Sequence, residues 1–232
     1  MKQLMVENIP ELPYYMTEAL NQLRISLGFA GENIKSIMIT SSTPNEGKSF
    51  ITMQLWKMMA EAGNRVIVID CDMRNSEMRT QWGFALESGD KGLVHCLSAK
   101  ADINDIVYAT NIKNAYIVPT EVLVPNPINL LEGRSFKELM TICRREFDYI
   151  LIDTPPLGAV ADALSVGPKT DGCLLVIRSA YTPKRAVENS VNLMERSGVP
   201  LLGIVLNRAD TNRKGNFYYN QYYRYGDYKY NK

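Results

Sequence analysis

The chain has a single histidine, His95, and four cysteines, Cys71, Cys96, Cys143 and Cys173, none at paired or metal-ligand spacing. This argues against a disulfide framework or a cysteine metal site and points to buried thiols in a reducing compartment. His95 has no partner residues in sequence that suggest catalysis or metal binding, so a structural role is expected. No apolar run approaches the ~18 residues needed to span a bilayer. Glu7, Pro10, Glu11 and Pro13 interrupt any signal-peptide pattern at the start. A soluble cytoplasmic protein is expected, able to dock on a membrane partner. The formal net charge is only +1, so no global basic character argues for nucleic acid as a partner.

The 232 residues can bury a substantial core, and one α/β domain is the simplest arrangement. Leu20, Leu23 and Leu27 recur at helical spacing and predict a helix over Met16 to Phe29. Lys35 to Thr40 reads as a strand, and Ser49 to Glu61 as a helix ending near Gly63. Val66 to Ile69, Tyr149 to Ile152, Cys173 to Ile177 and Leu202 to Leu206 are apolar without alternation, as strands buried on both faces are. Helices are expected near Phe136 to Arg145 and Arg185 to Ser197, and Pro125-Asn126-Pro127 marks a loop. The alternation predicts an α/β fold, a predominantly parallel sheet with helices on both faces. Met53, Trp56, Met58 and Met59 read as packing residues. Tyr14 and Tyr15 are expected just before the first helix. From about Asn212 the apolar periodicity stops, which divides the chain into a domain over 1–211 and a flexible tail over 212–232.

The segment Ser42-Thr43-Pro44-Asn45-Glu46-Gly47-Lys48-Ser49-Phe50 lies between the first apolar strand and a helix and is the candidate nucleotide-binding stretch. Backbone N–H groups at such a helix start can point at phosphate oxygens, and the helix dipole favours the negative charge. Gly47 permits close approach, Lys48 can reach the β- and γ-phosphates, and the Ser49 hydroxyl can ligate Mg²⁺. The general pattern begins with Gly four residues before Gly-Lys, where this chain has Ser42. An ordinary capped strand-to-helix turn is the bland alternative.

Asp70 and Asp72 stand at the end of a second strand, where an open parallel sheet lines its ligand crevice. Two carboxylates there can divide the work, one holding the metal shell and one accepting a proton; capping the next turn is the alternative. Asp153 ends Tyr149-Ile150-Leu151-Ile152 and is the expected metal-shell carboxylate that partners Lys48. Ser49, Asp70 and Asp153 are thus the candidate metal ligands, and Lys48, Asp70, Asp72 and Asp153 the candidate catalytic set. Asn207 and Arg208 follow another apolar strand, where an amide can read a purine edge. Asn207-Arg208-Ala209-Asp210 also resembles the guanine reader of GTPases. Pro156, where those enzymes place Gly, favours ATP over GTP.

Taken together, the chain resembles the bacterial tyrosine kinases of capsule and exopolysaccharide assembly, P-loop proteins related to MinD and ParA. The resemblance rests on Ser41 to Ser49, on Val66 to Arg74 with its two Asp and an Arg, and on Ile150 to Pro156. Ala161-Asp162-Ala163 and the tyrosine-rich terminus also fit. MinD- and ParA-like relatives usually carry lysine where Thr43 stands. The family loop usually carries Gly where Glu121 stands. The resemblance implies Mg²⁺- and ATP-dependent autophosphorylation of the tail at Tyr218, Tyr219, Tyr222, Tyr223, Tyr225, Tyr228 and Tyr230. It implies a homo-oligomer, a ring octamer, in which one subunit's tail enters its neighbour's site. The ring would use an N-terminal helix motif, for which this chain offers Glu18 and Arg24 but Asn21 in place of the middle Arg. It further implies a separate membrane adaptor of the polysaccharide co-polymerase type and a cognate tyrosine phosphatase. The kinase would then sit at the inner face of the cell membrane through its adaptor.

Alternatives at this level are a MinD-like regulatory ATPase and a nucleotide-dependent scaffold of the polysaccharide machinery. The tail could instead be a sticky aromatic or RNA-stacking segment, though no basic face elsewhere supports that. Phosphates add about −1.5 to −2 charge each, so several would reverse the basic tail and eject it from an acidic site.

Overall fold

A computed structural model of the chain describes residues 2–31 and 33–209. The seven tail tyrosines, Asp210 and the 211/212 domain boundary lie outside the described residues. In chain order the elements are β1 (Gln3–Leu4), α1 (Tyr14–Phe29), β2 (Ser36–Ser41), α2 (Lys48–Glu61), β3 (Val66–Asp70) and α3 (Met78–Trp82). There follow α4 (Leu93–Leu97), α5 (Ile103–Ile106), β4 (Tyr108–Thr110), β5 (Ala115–Val118), α6 (Ile128–Glu132) and α7 (Arg134–Glu146). The chain then continues through β6 (Tyr149–Asp153), α8 (Asp162–Val166), β7 (Gly172–Arg178), α9 (Lys184–Arg196) and β8 (Leu201–Asn207).

The strands form one sheet in the order β1-β4-β5-β3-β6-β2-β7-β8. Every neighbouring pair is parallel except β4 with β5. Strict alternation sends each strand's side chains into two cores. Val66, Val68, Ile37, Ile39, Leu151 and Leu174 join one core with α1, α2 and α3. Ile67, Ile69, Met38, Ile150, Ile152 and Leu175 join the other with α7, α8 and α9. Both faces of β3 are therefore dry, which is why its sequence is apolar at every position before Asp70.

The register sets the site. β3 and β6 pair with Asp70 opposite Asp153, and β6 also pairs with β2, which runs directly into the candidate phosphate loop. Two carboxylates and the loop thus emerge at the same end of the sheet, the end where open α/β sheets hold ligands.

The principal parallel strands and long helices lie where the sequence places them, with ends displaced by a residue or two. Pro125-Asn126-Pro127 lies in the connection between β5 and α6. Tyr14 and Tyr15 are the first residues of α1 rather than residues preceding it, because the turn closes on the Pro13 carbonyl through the N–H groups of Met16 and Thr17. The strands β1, β4 and β5 have no counterpart in the sequence reading. They are two to four residues long, too short for a periodic signal. All four cysteines are free and buried, and burial pushes the Cys143 and Cys173 thiols up to about 12. No helix among the described residues is long and apolar enough to cross a membrane.

Trp56 ties α2 to the sheet and to α3. It is fully buried, stacks on Trp82 at 5.2 Å between centroids, and donates its Nε1–H to the Tyr116 carbonyl at 3.1 Å. Trp56→Ala is expected to destabilise the protein by about 3–5 kcal/mol through the cavity and the orphaned carbonyl. A lowered urea midpoint with unchanged slope would show it.

Candidate active site

The loop between β2 and α2 is bent by two residues in left-handed conformation, Asn45 at φ +65° and Gly47 at φ +90°. A side chain at Gly47 would be strained by that φ, and its Cβ would fall 2.2 Å from Asn207 Nδ2. The loop is braced from behind. The Glu46 carboxylate is buried and accepts the Thr43 N–H at 2.9 Å, the Thr43 hydroxyl at 3.1 Å and the Thr182 hydroxyl. Its carbonyl accepts Asn207 Nδ2 at 2.8 Å, and Asn207 Oδ1 accepts the Arg208 N–H at 2.8 Å. Ser42 and Ser190 hydroxyls meet at 3.0 Å, while the Ser42 carbonyl accepts the Gly158 N–H.

Pro44, Asn45, Gly47, Lys48, Ser49, Phe50 and Arg208 line a cavity of about 460 Å³. The side chains of Ser42, Thr43, Glu46 and Asn207 bond within and behind the loop and hold its shape. The amide assigned to a purine edge is engaged by Glu46 and Arg208, because the end of β8 lies directly behind Gly47.

Opposite the loop, three carboxylates converge. Lys48 Nζ stands 3.0 Å from Asp72 Oδ2 and 3.7 Å from Asp153 Oδ2. The Ser49 hydroxyl donates to Asp153 Oδ2 at 2.7 Å. Asp70 accepts the Asp72 N–H at 3.1 Å and the Ser76 hydroxyl. Burial opposes the Lys48 charge, but Asp153 and Asp72 outweigh it and hold the ammonium above its ordinary range. Burial raises Asp153, against the pull of Lys48 and the Ser49 bond. Burial likewise pushes Asp70 up to about 7, with Ser76 opposing and the charge of Asp153 adding. The negative charge gathered here therefore exceeds what Lys48 alone compensates.

Such a centre suits a hard cation and an anion together. Among the described residues no group of three or more His, Cys, Asp or Glu side chains could hold a metal ion alone. Ser49, Asp153 and Asp70 offer a few oxygen donors, which matches an ion that takes its other ligands from phosphate and water. The first N–H groups of α2, lacking intrahelical partners, face the same space.

Several contributors have no assigned role in the sequence reading. Arg74 makes a two-pronged contact to the fully buried Asp162, at 2.7 and 3.0 Å, and donates to the Pro125 carbonyl. This pair pins the loop after β3 to the start of α8 and to the Pro125 loop at the cavity rim. Both residues lie in quoted motifs, but no local pattern pairs positions 88 apart. Glu121 accepts the N–H groups of Val94 and His95 at 3.2 and 2.9 Å, which gives the acidic side chain a function as a helix-start cap. His95 Nδ1 lies 2.7 Å from Glu121 Oε1 without hydrogen-bond alignment, so the histidine is structural and does have a partner.

The chain matches the AAA domain family model over residues 34–181. It is 37% identical over 193 residues to the tyrosine-protein kinase CpsD of Streptococcus agalactiae, covering 83% of each chain. The chain belongs to the bacterial tyrosine-protein kinase family. The solved kinase domain of the Escherichia coli tyrosine kinase ETK superposes with a TM-score of 0.77 at 29% identity, over 85% of this chain and 79% of that one. MinD of Pyrococcus horikoshii, solved with Mg-ADP, superposes with a TM-score of 0.63 at 22% identity over 76% and 72%, a likeness of fold alone. Between the kinase and the MinD-like ATPase, the family membership decides for a protein-tyrosine kinase that binds nucleotide in a P-loop fold.

The acid cluster predicts a pH dependence of the nucleotide-free, metal-free kinase. Asp70 at about 7 binds a proton in the fold that it has lost above about 3.9 in the unfolded chain. Its contribution is fully present below that unfolded value and is lost as pH rises through 7. The melting temperature should fall from pH 5.5 to pH 8, a stability loss of at most about 2 kcal/mol of the roughly 4 kcal/mol lost between the unfolded and folded values. Asp70→Asn should flatten that slope; an equally steep slope in the variant would contradict it.

Proposed function

We propose that this kinase transfers the γ-phosphoryl group of ATP to tyrosines of its own C-terminal segment: Tyr218, Tyr219, Tyr222, Tyr223, Tyr225, Tyr228 and Tyr230. The observation that carries the reading is Lys48 at the start of α2, bridging Asp72 and Asp153 at the ends of two neighbouring strand systems. Gly47 and the first turn of α2 cradle the phosphates, and Lys48 neutralises charge on the transferring group. Ser49, Asp153 and Asp70 would hold Mg²⁺, which supplies a counter-charge for the phosphate oxygens.

Lys48 is shared between carboxylates until phosphate oxygens compete for it. That competition loosens its contact with Asp72. A tyrosine hydroxyl, with a reference pKa of about 10, needs an acceptor for its proton at neutral pH. Asp72, the more accessible of the two strand-end carboxylates at 7% against 1% exposure, accepts it as the phosphoryl group arrives. Asp70 keeps the loop placed through its bonds to the Asp72 N–H and Ser76.

The family likeness extends the proposal to regulation of capsular or exopolysaccharide polymerisation and export. It adds a separate membrane adaptor of the co-polymerase type at the inner face of the membrane, and a cognate phosphatase that resets the tail. Residues 1–211 would form the kinase unit, with 212–232 as its substrate tail. Ring assembly would use α1, where Glu18 is exposed, Arg24 is half-buried and Asn21 Nδ2 donates to Glu18 Oε1 at 3.4 Å. Asn21 thus has a neighbour on its own helix, and Arg24 is left as the charged group for a partner.

Intact mass of the full chain with Mg·ATP, alone and with an adaptor's cytoplasmic segment, tests the reading. Successive phosphoryl-mass additions mapping to Tyr218 through Tyr230, and their loss in Lys48→Met with the fold retained, are expected. Steady ATP hydrolysis with no added mass would overturn it in favour of the regulatory ATPase.

A further inference from the structure

Phe50 and Gln81 line the phosphate cavity and also a second, open groove of about 480 Å³, walled further by Ile9, Pro10 and Met53, with Glu7 at its polar edge. The N-terminal segment forming one wall is tied in place. The N–H groups of Glu7 and Asn8 donate to the Trp82 carbonyl at 3.1 Å, and Gln54 Nε2 donates to the Pro10 carbonyl at 3.2 Å. The groove is mostly apolar and adjoins the phosphate cavity through Phe50 and Gln81.

We propose that this groove receives a second aromatic side chain of the phosphorylated segment, two residues from the acceptor tyrosine, and that its occupant is the chain's own C-terminal segment. The inference rests on the kinase reading above and adds what the site selects. In an extended peptide, residues i and i+2 lie on one face about 6.6 Å apart. Two adjoining depressions on one surface therefore accept alternate residues, not neighbours. The C-terminal segment carries this aromatic-x-aromatic pattern at Phe217/Tyr219, Tyr223/Tyr225 and Tyr228/Tyr230.

Charge agrees. Residues 210–232 hold five Lys or Arg against two Asp, whereas the cavity and groove present Asp70, Asp72, Asp153, Glu77 and Glu7 against Lys48, Arg74 and Arg208, a net acidic lining. Arg208, a few residues before the tail, itself lines the phosphate cavity. The occupant is this segment of the same chain or of a neighbouring copy in the proposed ring, since both carry the same sequence.

The test uses the full chain with Mg·ATP and reads initial phosphorylation rates at single tyrosines by peptide mapping. Tyr228→Phe and Tyr228→Ala are compared at Tyr230, and Tyr230→Phe and Tyr230→Ala at Tyr228. In at least one order, Ala should slow the partner about tenfold while Phe preserves its rate, because the ring and not the hydroxyl fills the groove. Ile9→Glu, which places a charge in the groove, should slow the parent chain by a similar factor and abolish the Phe–Ala difference. Ile9 also packs against the core beneath α2, so the melting temperature should fall, while unchanged Mg·ADP affinity separates groove loss from misfolding. Equal rates for Phe and Ala in both orders, or an unaffected Ile9→Glu chain, would overturn the subsite and leave the kinase reading intact. No phosphotyrosine on the parent chain would overturn both.

Discussion

The site depends on one constraint: a lysine and three carboxylates are taken out of water together at the end of a sheet buried on both faces. Isolated, any of these charges would be too costly to bury. Lys48 is held between Asp72 and Asp153, and Asp153 is further satisfied by Ser49. Asp70 lies directly opposite Asp153 in the β3–β6 register and retains its proton more readily, chiefly because it is buried and further because of the Asp153 charge. Acid outweighs what Lys48 alone compensates, a balance that suits the proposed binding of a cation together with phosphate.

A centre of this kind needs a rigid loop, and the rigidity comes from behind. Glu46 turns its carboxylate inward to Thr43 and Thr182, and Asn207 supports its carbonyl. The backbone is thereby held in the left-handed turn at Gly47 and shaped for an anion before one arrives, which is where preorganised electrostatics gains its advantage. Across the cavity, the Arg74–Asp162 pair does the same for the strand-end loop that carries Asp70 and Asp72. Two buried polar clamps, one on each side, fix the distance across which Lys48 meets its carboxylates.

Function then follows from what adjoins this centre. The cavity opens between the end of β8, from which the tyrosine-rich segment departs, and an apolar groove formed by the N-terminal segment against α2. The MinD structure shares this fold, and the membership of the tyrosine-kinase family is what distinguishes this chain. In this chain the aromatic, basic segment is the proposed acceptor.

The sequence by itself determined the architecture and the reactive core of the site. Strands covered on both faces must be apolar at every position, so β3 and β6 are legible, and a carboxylate closing such a strand stands out against the run before it. Lys48, Asp70, Asp72 and Asp153 are readable for that reason. Tertiary structure alone decided the rest. Asn207 meets Glu46 across 161 positions, Thr182 meets it across 136, and Arg74 meets Asp162 across 88. No local periodicity encodes such pairs, because they depend on strand order and register, which bring the ends of β8, β7 and β3 around one loop. The short strands β1, β4 and β5 were hidden for a related reason: at two to four residues their pairing is dictated by neighbours already in place. Sequence chemistry named the candidate reactive groups, and long-range packing decided which of their neighbours face the cavity and which brace the loop.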